Sequence, residues 1–155
     1  MDYFQGVVED YLRSSRARFV NSECLIQLDP DKERKDRHWY CDFVTVDFSE
    51  RTVYLCEVTF ARGLQSLTRR MNAWATHWGE VRSAVVRDCH VPSDWGVAIW
   101  LFVPEAYETL MLSRLKRSKS VDGAEPSMPD PKITPLESVL PWKYRSWVGT
   151  HYSSF

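Results

Sequence analysis

Apolar residues recur with two distinct periods along the chain. Over residues 2–16, Phe4, Val7, Val8, Tyr11 and Leu12 fall at i, i+3, i+4, i+7 and i+8, which predicts a helix with one buried face. A short strand is expected at 23–28, "ECLIQL", followed by a solvated loop, "DPDKERKDR", whose acids and bases nearly balance. That loop lacks the Gly and terminal Glu of a calcium-binding EF-hand. Two stronger strands follow at about 38–48 and 51–60, rich in Val, Tyr, Phe and Thr, joined by a tight turn at Ser49 and Glu50.

From 64 to 88 the period lengthens again. Leu64, Leu67, Met71, Trp74, Trp78, Val81 and Val85 alternate spacings of three and four, the seam of one long helix that would cover the sheet. A dimer seam is the other use of such a stripe. Residues 96–103, "GVAIWLFV", are apolar on both faces and read as a central strand. A helix at about 104–117 follows Pro104, and 118–135 read as a loose connection rich in Pro, Ser and Asp. The expected organisation is therefore an α/β domain over 1–117, a connection over 118–135, and an aromatic-rich segment over 136–155 that packs on the domain or on a partner. Within the domain the order helix, three strands, helix, strand, helix predicts a mixed sheet between helices.

Composition changes this picture in one respect. Aromatic residues reach 14%, with seven each of Trp, Tyr and Phe, more than a core of this size requires. Interfaces and base-stacking surfaces are the other uses of such rings. The net charge of −1 gives no global attraction to nucleic acid, so any such contact must be local. Cys24, Cys41, Cys56 and Cys89 form no Cys-x-x-Cys pair and read as reduced core thiols. With no long apolar span and no basic-then-apolar N-terminus, the cytoplasm is the expected compartment and no membrane partner is expected.

The chemistry concentrates in the hairpin. If Ser49 and Glu50 form its turn, paired residues have numbers summing to 99, and Asp42 stands opposite Glu57. Opposed residues have Cβ atoms about 4.5–5.5 Å apart, where like charges repel. Two carboxylates on adjacent apolar strands need a compensating cation, and a divalent metal with oxygen ligands is a natural one. Alternation puts Asp42, Val44 and Val46 on one face with Val53, Leu55, Glu57 and Thr59, and turns Cys41 and Cys56 to the other. Asp47 falls opposite Asp42 and reads as a turn residue.

The segment "CDFVTVDFSERTVYLCEVT", preceded by a helix and followed by a helix and a strand, resembles the PD-(D/E)xK nuclease superfamily. Asp42 stands at the family's Asp, Glu57 at its Glu, and Thr59 where its Lys is usual; Cys41 replaces the customary Pro. The resemblance covers roughly residues 1–103. It implies a restriction-endonuclease-like αβββαβ core with a mixed central sheet flanked by helices, followed here by a C-terminal helix and tail. It also implies a metal-dependent nuclease acting on DNA, with Mg²⁺ or Mn²⁺ held by Asp42, Glu57 and the backbone carbonyl of Val58. Thr59 cannot supply the cation that the Lys provides, and Arg62, Arg69 or Arg70 could do so while contacting phosphates. Gln65 resembles a glutamine that orients the attacking water in some branches, although a solvated helix face explains Gln65, Arg69, Asn72 and Thr76 equally well. Glu9 could be the extra acid of other branches, or a surface residue. Double-strand cleavage would require a homodimer. The competing expectations are a catalytically impaired module of the same fold that binds nucleic acid or a protein partner, and a structural or dimerising subunit.

Overall fold

A computed structural model describes residues 2–32, 36–60, 64–118 and 127–145. The elements in chain order are α1 (Tyr3–Arg13), β1 (Arg18–Gln27), β2 (His38–Asp47), β3 (Thr52–Val58), α2 (Leu64–Thr76), α3 (Trp78–Cys89), β4 (Gly96–Val103), α4 (Glu108–Ser118) and β5 (Lys132–Pro135). Short 3₁₀ turns lie at Glu105–Tyr107, Leu136–Val139 and Pro141–Lys143. No described helix is long and apolar enough to cross a membrane.

The strands form one mixed sheet in the order β1-β2-β3-β4-β5. β1, β2 and β3 are an antiparallel meander, whereas β4 runs parallel to β3 and β5 parallel to β4. The parallel step from β3 to β4 needs a crossover, and α2 and α3 provide it. The architecture is thus α/β with helices on both faces of a five-stranded sheet.

Each face carries its own apolar layer. On one, Met71 and Trp74 of α2, Val81 of α3 and Met111 of α4 pack over Leu55 and Ile99 of the central strands. On the other, Val7, Val8 and Leu12 of α1 meet Phe43, Trp100 and Phe102, with Leu136 and Val139 closing the edge. The 3.6-residue stripe read in α1 is therefore the stripe that is buried. Leu12 is fully enclosed, and its truncation to Ala is expected to cost about 2–5 kcal/mol. Asp2 caps this helix: its carboxylate accepts the Gln5 amide at 2.8 Å, and the Gln5 side-chain oxygen accepts the Asp2 amide at 3.2 Å.

Four expectations are corrected. The helix expected over 64–88 is two helices, interrupted at His77, although the backbone bonds Ala73–His77 and His77–Val81 persist and the seam stays buried across the break. β1 begins at Arg18 instead of 23; as an edge strand it leaves Phe19, Asn21, Ser22 and Glu23 exposed, so apolar alternation does not mark it. The supposed connection over 118–135 ends in β5, whose Thr134 hydroxyl accepts the Trp100 indole N–H at 2.8 Å. Finally, Cys41 packs in the layer of Val44 and Leu55, not in that of Cys56. The β1–β2 ladder pairs Ser22 with Phe43 and Cys24 with Cys41, stepping over Asp42 and over Glu23, which has a left-handed φ of 52°. Alternation is broken at Asp42 itself.

Candidate metal centre in a carboxylate cleft

The β2–β3 register matches the sum of 99: Phe43 pairs with Cys56, Val44 with Leu55 and Thr45 with Tyr54. The connection is a loop over 48–51 instead of a two-residue turn, but it preserves the register. Past Phe43 the strands stop pairing backbone to backbone. Asp42 instead offers Oδ2 to the Val58 amide at 2.8 Å, so a carboxylate takes an N–H that a strand carbonyl would otherwise accept. Its other oxygen, Oδ1, accepts the Gln5 side-chain amide at 3.1 Å. Because the Gln5 oxygen is held by the helix cap, its NH₂ group is directed at Asp42.

Glu57 lies on β3, between β2 and β4, and is only 3% exposed. Its Oε1 accepts Arg70 Nη1 at 2.7 Å. Burial raises its carboxyl well above the usual carboxylate range, as do the charge of Asp42 and a hydrogen bond to it; Arg70 pulls the other way without prevailing. The pairing with Arg70 therefore does not offset the cost of burying the Glu57 charge beside Asp42. Around them Asp42, Glu57, Val58, Thr59, Ser66, Leu67 and Arg70 line a cleft of about 180 Å³.

Several predicted residues thus meet in one place. Thr59 is buried there, its amide donating to the Phe102 carbonyl at 3.0 Å and its hydroxyl only weakly to the adjacent Phe60 carbonyl at 3.4 Å. Arg70 reaches the cleft from α2 and pairs with Glu57. Arg69 and Gln65 are exposed, and α2 lines the cleft with Ser66, Leu67 and Arg70, not with either of them. Glu9 is turned to Arg13, at 3.0 Å, and does not line the cleft. Arg62 lies outside the described residues. The polar residue that α1 directs at Asp42 is Gln5, one turn before Glu9 on the same helix face. In the sequence, Asp2-x-x-Gln5 signals only the helix cap that holds the Gln5 oxygen.

The neighbouring thiols add no reactivity. Burial first, and the adjacent carboxylates next, push the Cys41 thiol well above its usual range, and burial pushes Cys56 up to about 12. Both are inert core groups at neutral pH.

Among the described residues, no three His, Cys, Asp or Glu side chains converge as a metal cage. The pair nevertheless suits a hard divalent cation. Both side chains offer carboxylate oxygens to one cleft, and burial together with the charge of Asp42 raises the Glu57 carboxyl, so an added cation would favour its ionised form. Mg²⁺ characteristically uses one or two carboxylates and completes its shell with water and phosphate oxygen. Compared with known proteins, the chain matches no family model and no curated protein by sequence.

Proposed function

We propose that this protein is a Mg²⁺- or Mn²⁺-dependent nuclease that hydrolyses DNA phosphodiester bonds, built on the restriction-endonuclease-like core of the PD-(D/E)xK superfamily. The observation that carries this reading is the convergence of Asp42, Glu57 and Arg70 on one cleft at the end of β3. Asp42, Glu57 and the Val58 carbonyl would hold the cation. Once bound, the cation would lower the pKa of a coordinated water and neutralise charge on the scissile phosphate.

The remaining roles belong to the chain's own groups. The Val58 amide and the Gln5 NH₂ fix the orientation of Asp42. Glu57 must surrender its proton before it can act as a ligand, so cation affinity should increase with pH. Arg70 supplies the positive charge that Thr59 lacks; its guanidinium can present two N–H donors to phosphate oxygens. Leu67 and the buried Thr59 restrict water on the inner side of the cleft.

A second reading is favoured by one specific contact. The Arg70–Glu57 pair already compensates part of the buried charge, which would let the acids persist in a module that binds nucleic acid without cutting it. Cleavage of single-stranded, double-stranded and branched DNA, with Mg²⁺ or Mn²⁺, separates the two. Cleavage by the wild type that disappears in Asp42→Ala supports the nuclease. Binding in chelator without cleavage by the wild type or by Thr59→Lys supports the module. Cleavage persisting in Asp42→Ala would remove Asp42 from the site.

A further inference from the structure

Tyr3, Phe4 and Phe60 form a group of rings on residues next in the chain to Gln5 and Thr59. Phe4 and Phe60 are stacked, with centroids 4.6 Å apart and planes 12° from parallel, and Tyr3 meets Phe4 edge-on at 5.4 Å. Phe60 is 56% exposed and Tyr3 70% exposed, while Phe4 is anchored against the α1 layer. The position follows from chain connectivity. Phe60 is the residue after Thr59, which lines the cleft, and Phe4 precedes Gln5, whose amide holds Asp42. Each of the two rings is thus carried by the immediate chain neighbour of a residue that lines the cleft or holds Asp42.

We infer that Phe60, backed by Phe4, is a stacking platform for an unpaired base, and that the substrate is single-stranded or locally unpaired DNA. This rests on the nuclease reading above. An aromatic face stacks on any base whose own face is free, a condition met in a single strand and not within a duplex. Charge favours the same occupant. The net charge of −1 gives no global attraction to a duplex, which favours an occupant held by stacking and a local phosphate contact. Among the described residues that line the cleft, Arg70 is the cation available to a phosphate, and the platform would hold the base of a neighbouring nucleotide.

The test is equilibrium binding, in chelator, of a fluorescein-labelled oligothymidylate, the same strand carrying one abasic site, and a duplex of equal length. The wild type is expected to prefer the single strand, with weak salt dependence. Phe60→Ala should weaken single-strand binding about tenfold while leaving the melting temperature unchanged. Phe60→Trp should retain the affinity. Placing the abasic site at the sensitive position should cost the wild type a similar factor and cost Phe60→Ala almost nothing. Equal affinity of Phe60→Ala and wild type would overturn the platform; if Asp42→Ala still abolished cleavage, the nuclease reading would survive it. Preference for the duplex would overturn it too. So would a change in sedimentation of Phe60→Ala without a change in binding, which would assign the rings to contact with a second copy. Absence of binding to any of the three probes, together with absence of cleavage, would remove both readings.

Discussion

The β2–β3 hairpin buries an acid near each end, and the two are treated in opposite ways. Asp47, beside the loop, is 2% exposed. It accepts the Ser49 amide at 3.0 Å, the Ser49 hydroxyl at 2.7 Å and the Glu50 amide at 3.0 Å, and pairs with Arg18 at 3.1 Å. Burial alone would raise its carboxyl, but these donors outweigh it and leave the pKa lowered. Glu57, at the far end, has Arg70 on one side and another carboxylate on the other, and its pKa is raised. The same strand pair thus holds a satisfied structural acid and an unsatisfied one. Burial alone therefore does not mark function; what separates the two is whether the surroundings complete the charge.

The largest expected effect falls at the unsatisfied end. On the proposed nuclease function, Asp42→Ala should reduce metal-dependent cleavage by about 10³-fold or more, because it would remove a ligand to the charge-neutralising cation. Melting in chelator should change far less than activity, and a loss of folding equal to the loss of cleavage would make Asp42 structural, like Asp47. Arg70→Ala should follow, with cleavage lowered about 10²–10³-fold and partly recovered in Arg70→Lys. An unchanged rate would leave Arg70 as a charge partner of Glu57 and nothing more.

At the satisfied end the expected effect is on stability. Asp47→Ala strands the half-buried Arg18 and several turn donors, at a cost of about 3 kcal/mol, read as a fall in melting temperature of about 10 °C. Cleavage per folded molecule should be unaffected. A negligible shift would break the contrast drawn between the two acids.

The smallest effect is the most discriminating. Glu57→Gln should melt at or a few degrees above wild type in chelator at neutral pH. The folded pKa of Glu57 lies above its unfolded value, so wild-type stability is lost as pH rises through the folded pKa. The advantage of Glu57→Gln should accordingly vanish on acidification into the ordinary glutamate range. Asp47 has the reverse sign: its contribution is present above the ordinary aspartate range and is lost as pH falls through its lowered pKa. Melting curves of wild type, Glu57→Gln and Asp47→Asn across pH would reveal both slopes. A melting point of Glu57→Gln well below wild type would instead assign Glu57 a structural hydrogen bond, whose loss costs about 1–3 kcal/mol.

The hairpin was legible in the sequence because its register depends on strand length and turn position, and a four-residue loop centred on Ser49 and Glu50 gives the same sum as a two-residue turn. Spacing alone therefore brings Asp42 and Glu57 to the same end of the hairpin. The face taken by Cys41 was not legible, since alternation presumes an unbroken pleat and the left-handed Glu23 on the neighbouring strand interrupts it. β5 escaped because a short edge strand ending in Pro135 carries little apolar signal, and β1 because its outer residues face solvent. Arg70 could be named among nearby cations, but its selection over Arg69 depends on which residue of α2 the packing of Leu67 and Met71 turns towards the cleft. Gln5 read as a helix residue, and only the tertiary fold directs its amide to Asp42.

Calorimetric titration of Mn²⁺ into wild type, Asp42→Ala and Asp47→Asn tests the metal centre most directly. One ion per chain is expected to bind the wild type, more tightly at the higher of two pH values because the raised Glu57 carboxyl ionises as pH rises, with binding absent in Asp42→Ala and retained in Asp47→Asn. No binding to the wild type at either pH, or binding that Asp42→Ala leaves intact, would contradict the assignment of Asp42 and Glu57 as a metal site.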